Sequence, residues 1–205
     1  MKFRNMVSTD AQMEAFRRTH AIPDDVGLLL APVGLPEEGP DIIHIPIMAV
    51  VEAGVRFPLD SLLQQFFGQL GITTSQVTIN TFRILTALAR LSRNADMLIP
   101  LEILTGSYLI SFNTHSRKYF LQRRPDWASL IKGLSDSDKG ASDYLIVSGN
   151  YQATDGPYQV PTRVADLRKC RIIFCLFYSL FIIVDLFESQ STYLSISSVL
   201  QVKTS

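Results

Sequence analysis

The run from Val51 to Gly71, VEAGVRFPLDSLLQQFFGQLG, carries more structural information than any other part of the chain. Leu59, Leu62, Leu63, Phe66, Phe67 and Leu70 recur at three-to-four spacing, the period of one helix face, so the segment reads as an amphipathic core helix. Pro58 stands where a first-turn proline is tolerated, and Gly71 suits the left-handed position that ends a helix. Upstream, Ile47 to Ala53 is apolar enough for one or two buried turns stopped by Gly54. Arg56 is then expected to bury its stem against the same core.

Two further helices follow the same logic. Asn80 is a candidate cap for a segment in which Phe82, Leu85, Leu88, Ala89 and Leu91 or Met97 share a face while Arg83, Arg90 and Arg93 point elsewhere. Pro100 opens a third helix through Leu101, Leu104, Tyr108, Leu109 and Phe112, with Glu102 in the first turn where the helix dipole favours an anion. Beyond Asn113 the pattern turns aromatic and branched. Residues 118–123 (KYFLQR) and 144–148 (YLIVS) read as a pair of antiparallel strands.

Toward the N-terminus, Thr9 and Gln12 have capping-box spacing, which predicts a short helix from Thr9 to Thr19 ended by Pro23. Five prolines between residues 23 and 46 (Pro23, Pro32, Pro36, Pro40 and Pro46) oppose a continuous helix and imply a loop-rich connection. Short strands are expected within it at Leu28–Leu30 and Ile42–Ile45. The expected fold is α+β, a helix-dominated single domain over 1–167 with a small antiparallel β element, plus an apolar C-terminal tail over 168–205. No internal repeat, sustained heptad or low-complexity block is present.

Composition narrows the function classes. Nineteen Lys and Arg balance nineteen Asp and Glu, and the isoelectric point is near 6.8, so no global field draws the chain to nucleic acid or to an anionic membrane. The two cysteines, Cys170 and Cys175, lie in the tail without ligand-spaced histidines, which points to neither a disulfide framework nor a zinc site. The polar segment from Ser8 to His20 is unlike the apolar core of a secretory signal, so a cytoplasmic or nuclear location is expected.

The order of the segments resembles the gypsy-type transposon domain of plants, a retrotransposon-associated family. The resemblance rests on Pro23-Asp24-Asp25-Val26, on Glu52-Ala53-Gly54-Val55-Arg56-Phe57-Pro58-Leu59, and on Leu70-Gly71-Ile72 followed by Asn80-Thr81-Phe82-Arg83-Ile84-Leu85. It continues through Lys118-Tyr119-Phe120-Leu121-Gln122-Arg123-Arg124, Ile131-Lys132-Gly133-Leu134-Ser135 and Asp138-Lys139-Gly140, and covers about Ser8 to Leu167. The family pattern has tryptophan at the position of Phe82, proline at Ile79 and a Gly-Trp pair at Gly140-Ala141, which marks this chain as a diverged copy. What the resemblance implies is a transposon-derived, non-enzymatic domain with no catalytic residues to carry over and an unknown protein partner.

The residues themselves agree with that expectation. Protease, polymerase and zinc-knuckle signatures of a working retroelement are missing from the sequence, and Thr154-Asp155-Gly156 has the letters of a protease triplet in the wrong order and reads as a turn. His20, His44 and His115 have no second ligand at helical spacing, so capping or surface roles are expected and no metal or other cofactor. No glycine-rich phosphate loop and no nucleophile elbow occurs. The one local feature with chemical content is basic and aromatic: Arg117, Lys118, Tyr119, Arg123, Arg124 and Trp127, together with Phe120, where cations meet phosphates and rings stack on bases. It makes nucleic acid a possible partner, against the plainer reading of core aromatics with a solvated charged rim.

Residues 172–187 are apolar apart from Ser179 and Asp185, a stretch of about sixteen against the roughly 20 needed to cross a bilayer. Arg168, Lys169 and Arg171 precede it, so an inserted form would be tail-anchored, with the membrane as its partner. The competing expectation, and the favoured one, is that the tail is translated intron sequence foreign to the native product.

Overall fold

In chain order the elements are a 3-10 turn at Arg4–Met6, α1 (Asp10–Thr19), β1 (Val26–Leu30), β2 (Ile42–Pro46), α2 (Ile47–Val51), α3 (Ser61–Leu70), a 3-10 turn at Thr74–Gln76, α4 (Ile79–Ala95), α5 (Leu101–Ser107), β3 (Tyr108–Asn113), β4 (Lys118–Arg123) and β5 (Tyr144–Gly149). The structure is a computed structural model, and it describes residues 3–32, 39, 41–125, 131, 133, 134, 142–152 and 157–163. All of these belong to the unit Met1–Asp166. Cys170, Cys175, the Thr154-Asp155-Gly156 turn and the 172–187 tail lie outside them.

α1 begins as its sequence predicts. The Thr9 hydroxyl accepts from the Gln12 amide at 3.3 Å, and Gln12 Oε1 accepts from the Thr9 amide at 3.1 Å. Two orphan donors of the first turn are thereby satisfied, worth about 1 kcal/mol.

The strands do not pair as expected. β5 lies between β1 and β2 in a three-stranded antiparallel sheet, and β4 pairs with β3 in a separate two-stranded one. The expected partnership of residues 118–123 with 144–148 is therefore replaced by a local hairpin. Only Thr114 to Arg117 separate β3 from β4, and Asn113 Oδ1 accepts from the amides of His115 and Ser116 at 2.9 and 3.1 Å, building the turn from within. The same pairing shortens the third helix. It ends at Ser107, and Tyr108 to Asn113 extend opposite Arg123 to Lys118, because a ladder partner for this aromatic, branched segment outweighs its helical spacing.

One face of the larger sheet is core. Leu28, Val147 and Ile43 form one cross-strand row and Leu30, Leu145 and Ile45 the next; of these six only Leu30 keeps appreciable exposure. α3 and α4 pack on each other, and α4 also meets α2 and β4. Leu59, Leu62, Leu63, Phe66, Phe67 and Leu70 are all buried, as are Phe82, Leu85, Leu88 and Ala89, while Leu91 and Met97 are half-buried. The Phe67 and Phe82 rings meet at 5.8 Å between centroids, and Phe66 stands edge-on to Phe67 at 5.4 Å.

Helix ends correct two expectations. Pro58 precedes α3 instead of opening it: Asp60 is the N-cap, and the Phe57–Pro58 peptide is cis. Thr78 holds the N-cap of α4, and Asn80 lies inside the first turn, where its Oδ1 accepts from Arg83 Nη1 at 2.8 Å. The glycine expectations hold, since Gly71 and Gly54 have φ of 63° and 71°.

Phe82 is fully buried and sits at the joint between α3 and α4. Truncation to Ala is expected to cost about 3–5 kcal/mol, measured as a drop in the urea midpoint with an unchanged m-value.

Candidate functional site

The basic and aromatic segment around β4 is dispersed by the fold. Tyr119 is 4% exposed, with its ring 4.8 Å from that of Phe112, and its carbonyl accepts from the Thr78 amide at 3.0 Å. It is a core residue and has no free face for a base. Lys118 is half-buried, with Nζ 5.9 Å from the Tyr144 ring centroid, a cation–π contact that ties the hairpin to the start of β5. Arg124 runs back along α5, its amide donating to Ser107 O at 3.1 Å and Nη2 to Thr105 O at 3.3 Å. Only Arg117, in the left-handed turn with φ of 54°, and Arg123 expose their side chains, and they stand at opposite ends of β4. At a rise of about 3.3 Å per residue they are some 20 Å apart along the strand. Trp127 lies outside the described residues.

A different polar constellation is assembled on α4. Arg83, Arg90 and Arg93 follow at intervals of seven and three, so they share a helical face with Asn80. The 52–60 segment crosses that face. Arg83 Nη2 donates to Glu52 Oε2 at 2.6 Å, Arg93 Nη1 pairs with Asp60 Oδ2, and the Arg90 guanidinium lies where a Cβ on Gly54 would sit. The Glu-Ala-Gly-Val-Arg-Phe-Pro-Leu run therefore has a physical explanation: two acids eight residues apart bracket a helix edge lined with arginine. The glycine between them gives both a positive φ and room for a third cation. Arg56, whose stem is expected against the core, is exposed as a whole residue, and its Nη1 lies 3.3 Å from Val55 O.

Sequence spacing showed three arginines off the core face, but no local pattern couples a helix to acids some thirty residues upstream. The ion pairs are partly exposed, Arg83 and Glu52 at 16% and 33% and Arg93 and Asp60 at 54% and 26%, so solvent screening holds each to about 1 kcal/mol or less. Their value is orientation: they fix the 52–60 crossing against α4.

The histidines divide three ways. His115 is exposed in the β3–β4 turn, and His20 ends α1. His44, expected at the surface, is 7% exposed, because the Thr74–Gln76 turn covers its strand and Thr74 Oγ1 donates to the His44 carbonyl at 2.7 Å. Among the described residues no three His, Cys, Asp or Glu side chains are grouped to hold a metal ion. No helix among them is long and apolar enough to cross a membrane.

Comparison with known proteins returned nothing: no family model, no curated protein and no solved structure matches the chain.

Two substitutions test this assembly. Gly54→Ala forces a Cβ into a positive-φ position and onto Arg90, with an expected loss of about 1–3 kcal/mol by chemical denaturation. His20 packs on Phe16 at 4.4 Å, and burial, with Arg56 nearby, holds its proton affinity below the ordinary value of 6.5. The native state thus binds fewer protons than the unfolded chain, so stability falls as the pH drops through that value. His20→Gln is expected to flatten the slope of stability between about pH 7 and pH 5.

Proposed function

We propose that this chain carries a non-enzymatic, transposon-derived domain that works by binding other protein surfaces. One observation carries the reading: among the described residues, the charged side chains gathered on α4 and beside α5 are engaged within the fold, while Leu29 and Leu98 stand in water. Glu52, Asp60, Arg83, Arg93 and Arg124 serve packing of the fold, and Tyr119 is buried. Leu29 and Leu98 are 66% and 89% exposed, two separate apolar side chains that a protein partner would cover. The transposon-derived part rests on the sequence resemblance alone.

The alternative of nucleic-acid binding is tested directly. Fluorescence anisotropy with labelled single-stranded and duplex oligonucleotides is expected to show binding no tighter than the micromolar to 100 μM range of non-specific association. Arg117→Ala and Arg123→Ala are expected to change it little. Nanomolar binding that weakens with salt and disappears in the double variant would move the domain to the nucleic-acid class.

A further inference from the structure

The β3–β4 hairpin leaves one strand edge open. The Arg124 amide donates to Ser107 O at 3.1 Å, which sets the phase of the ladder: Leu109 and Ser111 turn their amides and carbonyls toward β4, and Ile110 and Phe112 turn theirs away. The far side of β4 obeys the same phase, because Tyr119, opposite Phe112, presents its carbonyl outward to the Thr78 amide at 3.0 Å. On β3 nothing answers in that way. The Tyr108 amide returns to Leu104 O, but the backbones of Ile110 and Phe112 are bonded to no other described residue. Elsewhere the edges are covered. Val26 and Leu28 on β1 are 0% and 8% exposed, and the His44 carbonyl on β2 accepts from the Thr74 hydroxyl. Ile110 and Phe112 are only half-buried, and Tyr108–Asn113 contains no charge, no proline and no bulge, the usual devices that keep an edge from pairing.

Charge selects the occupant. Residues 103–125 carry Arg117, Lys118, Arg123 and Arg124 and no Asp or Glu. Arg117 is exposed at the turn and Arg123 at the opposite end of β4, so a strand laid along β3 runs between two cations. That field repels a second copy of the same hairpin and favours acids at both ends of the incoming strand. Between the ends the demand is apolar, since Ile110 and Phe112 share one face of β3 and both are half-buried.

We infer that β3 takes up an extended segment of a partner protein as an added strand, apolar beside Ile110 and Phe112 and acidic at both ends. The amides and carbonyls of those two residues supply four backbone hydrogen bonds to it. The inference deepens the protein-binding reading, on which it rests for its class of partner.

The full chain is titrated with two fluorescent synthetic peptides, EEVTVTVEE and its lysine-flanked counterpart KKVTVTVKK. The acidic peptide is expected to bind saturably and at least tenfold more tightly. Amide hydrogen exchange at Ile110 and Phe112, fast in the free chain, is expected to slow at least tenfold when that peptide saturates it, while Leu109 and Ser111 exchange slowly throughout. Ile110→Pro removes an amide that faces away from β4, so the hairpin ladder survives; it is expected to weaken the acidic peptide at least fivefold with an unchanged circular dichroism spectrum. Arg117→Asp is expected to weaken it at least threefold. The inference is overturned by absent binding, by equal binding of the two peptides, or by edge amides already protected in the free chain. The exchange measurement needs no substitution and so decides the matter even where a variant misfolds. None of these outcomes touches the oligonucleotide result that decides the reading itself.

Discussion

The structure depends on β5 reaching its place between β1 and β2. Both flanking strands lie in the first fifty residues, and neither is bonded to the other; each has its ladder only through β5, which arrives more than ninety residues after β2 ends. Closing a loop of that length costs chain entropy, though the cost grows only with the logarithm of length. What repays it is the row-by-row burial of Leu28, Val147, Ile43, Leu145 and Ile45, at about 1.5–3 kcal/mol for each large apolar side chain. The three strands are therefore one cooperative unit, in which the last strand makes the first two possible.

The helices solve a second problem, that of holding α3 and α4 at one angle once their apolar faces meet. The Phe66, Phe67 and Phe82 cluster provides the adhesion, but apolar contact is non-directional and tolerates sliding. The 52–60 crossing removes that freedom. Glu52 and Asp60 grip two arginines about 15 Å apart along α4, and Gly54 sits under the third. These contacts add little net stability and a good deal of geometric definition, which accounts for the arginines along one edge of a core helix.

Charge and aromatic content taken from sequence overstated the β4 segment because strand alternation and a tertiary neighbour were both missing. Tyr119 shares its face with its cross-strand neighbour Phe112 and is bridged at its backbone by Val77, and Arg124 turns back onto α5. A basic-aromatic string of residues is a binding surface only when its rings and cations emerge on one side. Here the hairpin register sends the ring inward and leaves Arg117 and Arg123 at separate ends.

Local chemistry was legible without the fold: the Thr9–Gln12 box, the buried faces of α3 and α4, the left-handed glycines at 54 and 71, and extended segments at 28–30, 42–45, 118–123 and 144–148. Those features depend on residues within a turn or two, whose periodicity and dihedral preference act wherever the segment lies. Strand partners, the end of α5 at Ser107, the burial of His44 and the gathering of Arg83, Arg90 and Arg93 over the 52–60 segment were decided only in three dimensions. Each depends on which distant backbone or acid comes to lie alongside, and hydrophobic burial selects that neighbour by summed area over the whole core, a quantity no local stretch of sequence contains.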